Sequence, residues 1–533
     1  MRIVGIEGTA WAASAALYDT ETDEVVIESD PYEPESGGIH PREAAEHMGS
    51  AIPEVVSAIL DHAATTPGES ADGLGVDAVA FSRGPGLGPC LRIVGTAARA
   101  LAQTLSVPLV GVNHMVAHLE IGRHRSGFES PVCLNASGAN AHLLGYHDGR
   151  YRILGETMDT GVGNAIDKFT RHLGWSHPGG PKVEARAKAG EYHDLPYVVK
   201  GMDFSFSGIM SAAKDAVDDG VPVEDVCAGL QETIFAMLTE VSERALSLTG
   251  TDELVLGGGV GQNARLREML ASMCEQRGAD FYAPEPRFLR DNAGMIAVLG
   301  AKMYAAGDTI DVPDSAVDPN FRPDEVAVTW RGDDESVVRD PTASGTIRGA
   351  EATVTIEDDR VIKRRVPKAY RHPALDDRLR AERTRAEARL TSAARRVGVP
   401  TPVVYDVDPT EGTLVFQRVG DDDLAAALSA DRCRAVGRHL AAVHDAGFVH
   451  GDPTTRNVRV DAERTYLIDF GLGFHTGHVE DHAMDLHVFK QSVAGTAADA
   501  EPLLDAVEAG YAAVGDETVR TRLREIEGRG RYQ

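Results

Sequence analysis

Two histidines four apart, in Asn113-His114-Met115-Val116-Ala117-His118-Leu119-Glu120, are the residues of this chain best spaced for metal chemistry. On a helix, positions i and i+4 project from one face, one turn apart, so both imidazoles can reach one ion. Two ordinary surface histidines fit the same letters, and both readings stand at this point. A zinc peptidase carries glutamate directly after the first histidine, as general base for the metal-bound water. Met115 fills that place, which leaves a metal plausible and disfavours peptide hydrolysis. Farther along, Arg290-Asp291-Asn292-Ala293 offers Asp291 as a carboxylate ligand.

A second set lies near the C-terminal end. His450-Gly451-Asp452-Pro453-Thr454-Thr455-Arg456-Asn457 is followed by Ile468-Asp469-Phe470-Gly471. Asp, four residues, Asn and then Asp-Phe-Gly is the set that phosphoryl transfer uses: a base and two magnesium ligands. Lys363 stands upstream on a predicted strand, where such enzymes hold the phosphates. Any one of these pieces alone would be chance-level; the ordered set is not.

The predicted elements give both sets a frame. Residues 2–17 read as strand, glycine turn, strand, with Gly5, Gly8 and Thr9 at the bend. Residues 131–146 repeat the design, with Ser137, Gly138 and Asn140 at the bend. Two such hairpins, each opening a mixed region, predict an internally duplicated α/β fold. Backbone N–H groups in these turns can cradle phosphate, although two plain hairpins need no ligand. Between them, Gly38 to His47 places Pro41 at a helix start, with His40 and His47 at a pocket or on the surface. Ser82-Arg83-Gly84-Pro85-Gly86-Leu87-Gly88 is a glycine-rich loop before a helix near Leu91, suited to an anion or to a tight connection.

The stretch from Gly155 to Gly190 is dense in special residues: Asp159, Asn164, Asp167, Lys168, then His177-Pro178-Gly179-Gly180-Pro181 and Glu184. Two carboxylates flanking a Gly-Gly turn can grip ribose hydroxyls, and a solvated helix face explains them equally. Leu254 to Asn263 is an apolar strand running into glycines, where bare backbone admits a flat ligand such as adenosine.

At 533 residues the chain needs several cores. It has 43% hydrophobic residues, no long apolar run and no exported-type N-terminus. A globular, cytoplasmic protein without membrane contact is expected. The five cysteines are scattered and form no CxxC, so a cysteine-based zinc site is excluded. A net charge of −29 would repel nucleic acid at long range if it were spread evenly. An acidic surface also keeps a protein soluble in a salt-rich, halophilic cytoplasm, where salt screens that repulsion.

Ten blocks occur in the order of one known family. They are GIEGTA, GGIHPREAAEH, SRGPGLGPCLR, NHMVAHLE, SGANAHL, GNAIDKF, HPGGPKVE, MDFSFSG, GGGVGQNARL and DNAGMIA, over about residues 1–328. This part resembles the archaeal and eukaryotic threonylcarbamoyl-transferases of the KEOPS complex, relatives of the bacterial enzyme mislabelled O-sialoglycoprotein endopeptidase. The resemblance implies an actin-like ATPase (ASKHA) fold of two duplicated α/β subdomains. It also implies transfer of threonylcarbamoyl from threonylcarbamoyl-AMP to adenosine 37 of tRNAs that read ANN codons. Carried over by position, His114, His118 and Asp291 hold one iron or zinc ion, which two imidazoles and a carboxylate suit. Asn135, Ala136, Ser137, Gly138, Ala139, Asp167, Gly180, Glu184 and Asn263 hold the adenylate substrate. Asn135 departs from a tyrosine found in many relatives, Trp11 from a histidine, and Glu7 from the aspartate of many actin-like kinases.

Residues 329–345 are charged and small, a predicted linker. Residues 346–533 resemble the small atypical kinase-like ATPase of the same complex, through VIKRRVPKAYRHPALDDRLRAERTRAEARL, FVHGDPTTRN, YLIDFGLG and the Arg-rich tail. This implies a minimal two-lobed kinase-like α+β domain that binds Mg-ATP. By position, Lys363 binds phosphates and pairs with Glu387, Asp452 is the catalytic base, and Asn457 and Asp469 hold magnesium. The glycine loop is reduced to Gly345 and Gly349, and no activation segment follows Asp469, so a regulatory ATPase fits better than a broad kinase. Expected partners are tRNA, ATP and other KEOPS subunits. Arg-rich tracts at 378–396 and 522–531 can meet tRNA phosphates or pair with Glu382 and Glu387. The competing classes are a metalloprotease and a signalling kinase with an actin-like binding module.

Overall fold

The computed structural model describes residues 1–32, 39–65, 74–138, 140–147, 149–332, 346–497 and 499–529. They form two compact units, Met1–Val198 with Phe204–Arg339, and Val199–Asp203 with Asp340–Gln533.

The first unit contains the same sheet twice. Its apolar N-terminal run forms strand β1 (Arg2–Glu7), which turns at Gly8 and Thr9 into β2 (Ala12–Asp19) and then β3 (Glu24–Pro31). Helix α1 (Pro41–Thr65) leads to β4 (Ala78–Gly84), α2 (Gly88–Leu105) and β5 (Leu109–Asn113). The strand order is β3-β2-β1-β4-β5, antiparallel among the first three and parallel onward. Helix α3 (His114–Ser126) follows β5 without a loop.

The second half repeats the pattern. Its strands are β6 (Val132–Ala136), β7 (Ala141–His147), β8 (Arg150–Glu156), β9 (Glu253–Gly257) and β10 (Asp280–Tyr282). Their order is β10-β9-β6-β7-β8, with the same sequence of parallel and antiparallel pairs. Helices α4 (Val162–His172), α5 (Gly180–Ala187), α6 (Ser207–Asp218), α7 (Val223–Thr249) and α8 (Ala264–Arg277) lie between β8 and β10. This is the internal duplication expected from the two hairpins, in the actin-like form that the family resemblance implies. Helix α9 (Ala293–Ala305) is apolar on nearly every side and packs directly on β1. Gly5 makes that approach possible: a Cβ there would lie 2.5 Å from the Ala293 carbonyl oxygen.

A buried ion cluster fixes α3 against α9. The Glu120 carboxylate is fully buried and accepts from Lys302 Nζ at 2.8 Å, Arg123 Nε at 3.0 Å and the Tyr151 hydroxyl at 2.7 Å. Arg331 Nη1 lies 3.5 Å from it. Arg331 and Trp330, expected in the linker, instead pack into the first unit, because burying Glu120 demands a further cation. Burial pushes the Glu120 carboxyl up, but Lys302, Arg123 and Arg331 outweigh it and hold it down at about 2. Lys302 is held below its usual range by the same burial, so part of the gain is offset. Glu120→Gln removes the buried carboxylate that Lys302, Arg123 and Arg331 share and is expected to lose about 3–5 kcal/mol of unit stability at pH 7 in urea unfolding. A carboxyl held low when folded stabilises above its unfolded value near 4.3 and loses that contribution as pH falls toward 2. The variant's stability should therefore be flatter than the wild type's below pH 4.3.

The second unit opens with a five-stranded antiparallel sheet: β11 (Thr346–Arg348), β12 (Ala352–Ile356), β13 (Arg360–Arg365), β14 (Val404–Asp408) and β15 (Thr413–Gln417), ordered β11-β12-β13-β15-β14. Helix α10 (Pro373–Arg396) lies between β13 and β14 in sequence and packs on β14 and β15. A helical part follows, with α11 (Ala430–Asp445), the hairpin β16 (Val458–Val460) and β17 (Thr465–Leu467), then α12 (Val479–Thr496), α13 (Glu501–Ala512) and α14 (Glu517–Arg529). Among the described residues no helix is long and apolar enough to cross a membrane.

Candidate functional sites

Two helix starts bring the first set of ligands together. Asn113 caps α3, its side chain accepting from the Met115 and Val116 amides at 3.0 and 3.1 Å. That cap fixes His114 as the first helical residue and His118 one turn later. Asn292 caps α9 by accepting from the Met295 amide at 3.1 Å, and Asp291 stands just before it. Asp291 Oδ1 lies 3.4 Å from His114 Nε2 and 3.5 Å from His118 Nε2. One ligand atom from each of the three residues falls within 4.8 Å of the others.

The other side of His114 is held by Glu7, at the end of β1. His114 Nδ1 lies 3.1 Å from Glu7 Oε2, which also accepts from the Ser82 hydroxyl, while Glu7 Oε1 accepts from the Thr9 amide at 2.7 Å. A carboxylate on one ring nitrogen orients the other toward a metal. Burial pushes the His114 ring down, but Glu7 and Asp291 reverse this and hold it up at about 10. Burial keeps His118 below its usual range. Asp291 is pushed up by burial, yet the two imidazoles hold it well below the carboxylate range.

The donor set fits a divalent cation. It offers two nitrogens and an oxygen, and both His118 ring nitrogens are buried without a hydrogen-bond partner. Asp291→Asn removes the charged ligand at constant shape. It is expected to weaken binding of a divalent cation by at least about 100-fold, read as ion content per chain after dialysis against zinc or iron.

The residues expected to hold an adenylate fall into two groups. Asn135 and Ala136 end β6 against Gly258, whose φ of +84° lets backbone pass where a Cβ would lie 2.7 Å from Asn135 Oδ1. Glu184 Oε1 accepts from the Ala264 amide at 3.2 Å, beside Asn263. Asn263 itself caps α8, accepting from the Arg265 amide at 2.9 Å, and donates to Gln231 Oε1 at 3.2 Å. Ser137 and Gly138 form a turn tied to the start of α4, through Gly163 N to Ser137 O at 3.2 Å and Asn164 N to Gly138 O at 2.8 Å. Asp167 accepts from the Gly179 amide at 2.7 Å and lies 3.0 Å from His177 Nδ1, bracing the turn before Gly180. Space is open around the Gly180 α-carbon. Ala139 lies outside the described residues. Several of these side chains thus also brace loops, a use that their letters do not separate from ligand binding. His47 packs near Tyr32 and meets the Asp30 carbonyl.

In the second unit Lys363 Nζ meets both Glu387 oxygens at 3.0 and 3.1 Å and Asp469 Oδ1 at 2.7 Å. Arg365, which the sequence did not single out, also binds Glu387, at 2.6 Å. Burial pushes Asp469 up, but Lys363 and Arg365 hold its carboxyl below the usual range. Asn457 Nδ2 donates to the Asp452 carbonyl at 2.8 Å and to its Oδ2 at 3.0 Å. The buried Asp485 carboxylate accepts from the His450 and Gly451 amides at 2.9 and 2.8 Å, fixing the loop that carries Asp452. Gly349 closes a turn, its amide donating to the Ala352 carbonyl at 2.9 Å; Gly345 lies outside the described residues. In the first Arg-rich tract, Arg380 pairs with Asp376 at 2.8 Å and Arg383 with Glu351, while Arg385, Arg389 and Arg396 are exposed. Arg522 pairs with Glu480 at 2.6 Å and Glu525 at 2.5 Å; Arg531 lies outside the described residues.

A family model described as TsaD, tRNA N6-adenosine threonylcarbamoyltransferase, matches residues 21–298. A "Probable bifunctional tRNA threonylcarbamoyladenosine biosynthesis protein" of Haloquadratum walsbyi is 74% identical over 534 residues, covering 100% of both chains. Its namesake in Haloarcula marismortui is 71% identical over 548 residues, again covering 100% of both. A third, in Methanospirillum hungatei, is 52% identical over 533 residues, covering 99% of each.

Proposed function

We propose a function from the premise that this chain belongs to the TsaD family of tRNA N6-adenosine threonylcarbamoyltransferases, in its bifunctional form: the first unit moves threonylcarbamoyl from threonylcarbamoyl-AMP to N6 of adenosine 37 in tRNAs reading ANN codons. A nitrogen–carbon bond forms, the acyl carbon–oxygen bond of the mixed anhydride breaks, AMP leaves with the electron pair, and the proton lost from N6 passes to the departing phosphate or to water. The observation that carries this reading is the meeting of His114, His118 and Asp291, from two helix starts, within 4.8 Å. The family is generally metal-dependent, and this donor set suits one iron or zinc ion. Such an ion supplies Lewis-acid polarisation of a carbonyl and a template for the acyl group. Glu7 and Asp291 hold the two imidazoles in place for it. Asn135, Ala136, Ser137, Gly138, Ala139, Asp167, Gly180, Glu184 and Asn263 are assigned to the adenylate. Orientation matters most here, because an exocyclic adenine amine is a weak nucleophile.

The second unit is assigned as an atypical kinase-like ATPase that regulates the first. The Lys363–Glu387 pair, the Lys363–Asp469 contact and the Asp452–Asn457 pair support it. Lys363 and the glycines at 345 and 349 would hold ATP; Asn457 and Asp469 would hold magnesium, which neutralises phosphate charge. The remaining KEOPS subunits are the proposed partners, in the cytoplasm where tRNA is found. Met115 is buried and leaves the histidine pair without the glutamate base of a peptidase, so the protease reading gains nothing. The test is to incubate the full chain and its partner subunits with threonylcarbamoyl-AMP and an ANN-reading tRNA. Mass spectrometry of the digested tRNA is expected to find threonylcarbamoyladenosine at position 37; tRNA left unmodified would overturn the reading.

A further inference from the structure

On the second sheet, near the histidine pair, lie polar groups for which the protein supplies no partner. Asn135 on β6 and His142 on β7 face each other directly across an antiparallel pair. Their side chains therefore share one face, with Cβ atoms about 4.5–5.5 Å apart. Asn135 is 3% exposed and His142 is 1% exposed. Neither Asn135 Oδ1 nor either ring nitrogen of His142 meets a hydrogen-bond partner. The next pair in the same register, Cys133 and Leu144, is apolar and fully buried, so this face of the sheet does not by itself require polar residues. Buried polar atoms are nearly always paired by protein, water or a bound ligand, and these lie together on facing residues of one sheet face.

The position of the pair says where that partner sits. A Cβ at Gly257 would lie 3.4 Å from both Asn135 Oδ1 and the His118 Cβ, which places Asn135 beside the metal-competent histidine. His142 lies within electrostatic reach of the His118 and His114 rings. Yet among the described residues only His114, His118 and Asp291 gather closely enough to share an ion. His142 stands next to the ion's place, not in it.

The chemistry of the pair narrows the partner. Burial holds the His142 ring down at about 3, so it is neutral and offers one N–H donor and one nitrogen acceptor. Asn135 Oδ1 only accepts. A hydroxyl lying between them can donate to one side and accept from the other. A carboxylate cannot donate to Asn135 Oδ1, and an ammonium, which could donate to both groups, would be a buried charge that neither of them neutralises.

We propose that Asn135 and His142 form the subsite for the side-chain hydroxyl of the amino-acid part of the transferred group, and so select a β-hydroxy amino acid. This rests on the transferase reading above and adds a specificity determinant, His142, to it.

The test compares threonylcarbamoyl-AMP with its valine isostere, in which a methyl group replaces the hydroxyl, using the full chain with partner subunits and tRNA. A site built to bond a hydroxyl rejects the analogue lacking it strongly, so the wild type should prefer threonine by on the order of 10³-fold or more in kcat/KM. In His142→Leu the ratio should fall to about tenfold or less, with kcat/KM for the valine compound within about threefold of wild type. His142→Gln, which keeps a donor and an acceptor, should restore most of the preference. Asn135→Ala reads the same ratio should His142→Leu fail to fold. A purely structural role would lower both substrates together and leave the ratio unchanged, which overturns the subsite. If the wild type modifies no tRNA with threonylcarbamoyl-AMP, the transferase reading falls; if it does and the ratio stays fixed in the variants, only the subsite falls.

Discussion

His118→Ala is expected to lower threonylcarbamoyl transfer by about 10³-fold or more while ATP hydrolysis by the second unit stays at the wild-type rate. The side chain is 1% exposed and sits 3.5 Å from Asp291, one turn along α3 from His114. Removing it leaves one imidazole and one carboxylate, too few fixed ligands for a tetrahedral ion with an open position. Alanine is the best helix former, and the Asn113 cap and the Glu120 cluster remain, so α3 should persist. The measurements are threonylcarbamoyladenosine per tRNA, ion content per chain and ADP release. Transfer within threefold of wild type, in a variant that has lost its ion, would remove the assigned role of His118.

The parts of this site that lie close together in sequence were legible, and those that meet only in space were not. His114 and His118 are one helical turn apart, so spacing alone put them on one face. The two hairpins were legible for the same reason, since an apolar run, a glycine bend and a second run fix a local antiparallel pair. Asp291 is far from the histidines in sequence, and only the family resemblance joined it to them. Glu7 shows the limit. Its letter reads as a departure from a kinase aspartate, whereas its contacts with His114 and Ser82 depend on β1, β4 and α3 converging. Arg331 failed in the opposite direction. Charged, small neighbours suggest a linker, but a buried carboxylate elsewhere in the chain draws that guanidinium into the core. Asp167 and Asn263 show a third kind of ambiguity, because ligand grips and loop braces use the same residue types. His142 lies inside the SGANAHL block, but no spacing there singles it out; only its missing partners mark it.

For the second unit, Asp452→Ala is expected to reduce ATP hydrolysis by about 10²–10⁴-fold, the usual worth of a positioned general base. The loop around Asp452 is held from two sides. Asp485 accepts from the amides of His450 and Gly451, and Asn457 donates to both the carbonyl and the carboxylate of Asp452. These bonds aim one carboxylate and do not themselves supply a base. Asp452→Asn therefore keeps the shape and should lose nearly as much activity as Asp452→Ala. Nucleotide affinity should change by less than about fivefold in both variants, because Lys363, Glu387 and Asp469 form their own cluster. Lys363→Ala should do the reverse. It leaves Glu387 and Asp469 without their shared ammonium and should weaken ATP binding by more than about tenfold, with Arg365 still holding Glu387. Isothermal titration and ADP release separate the two outcomes. Hydrolysis by Asp452→Asn at the wild-type rate would mean that water is activated elsewhere, and the Asp452–Asn457 pair would then be a brace for the loop rather than the centre of the reaction.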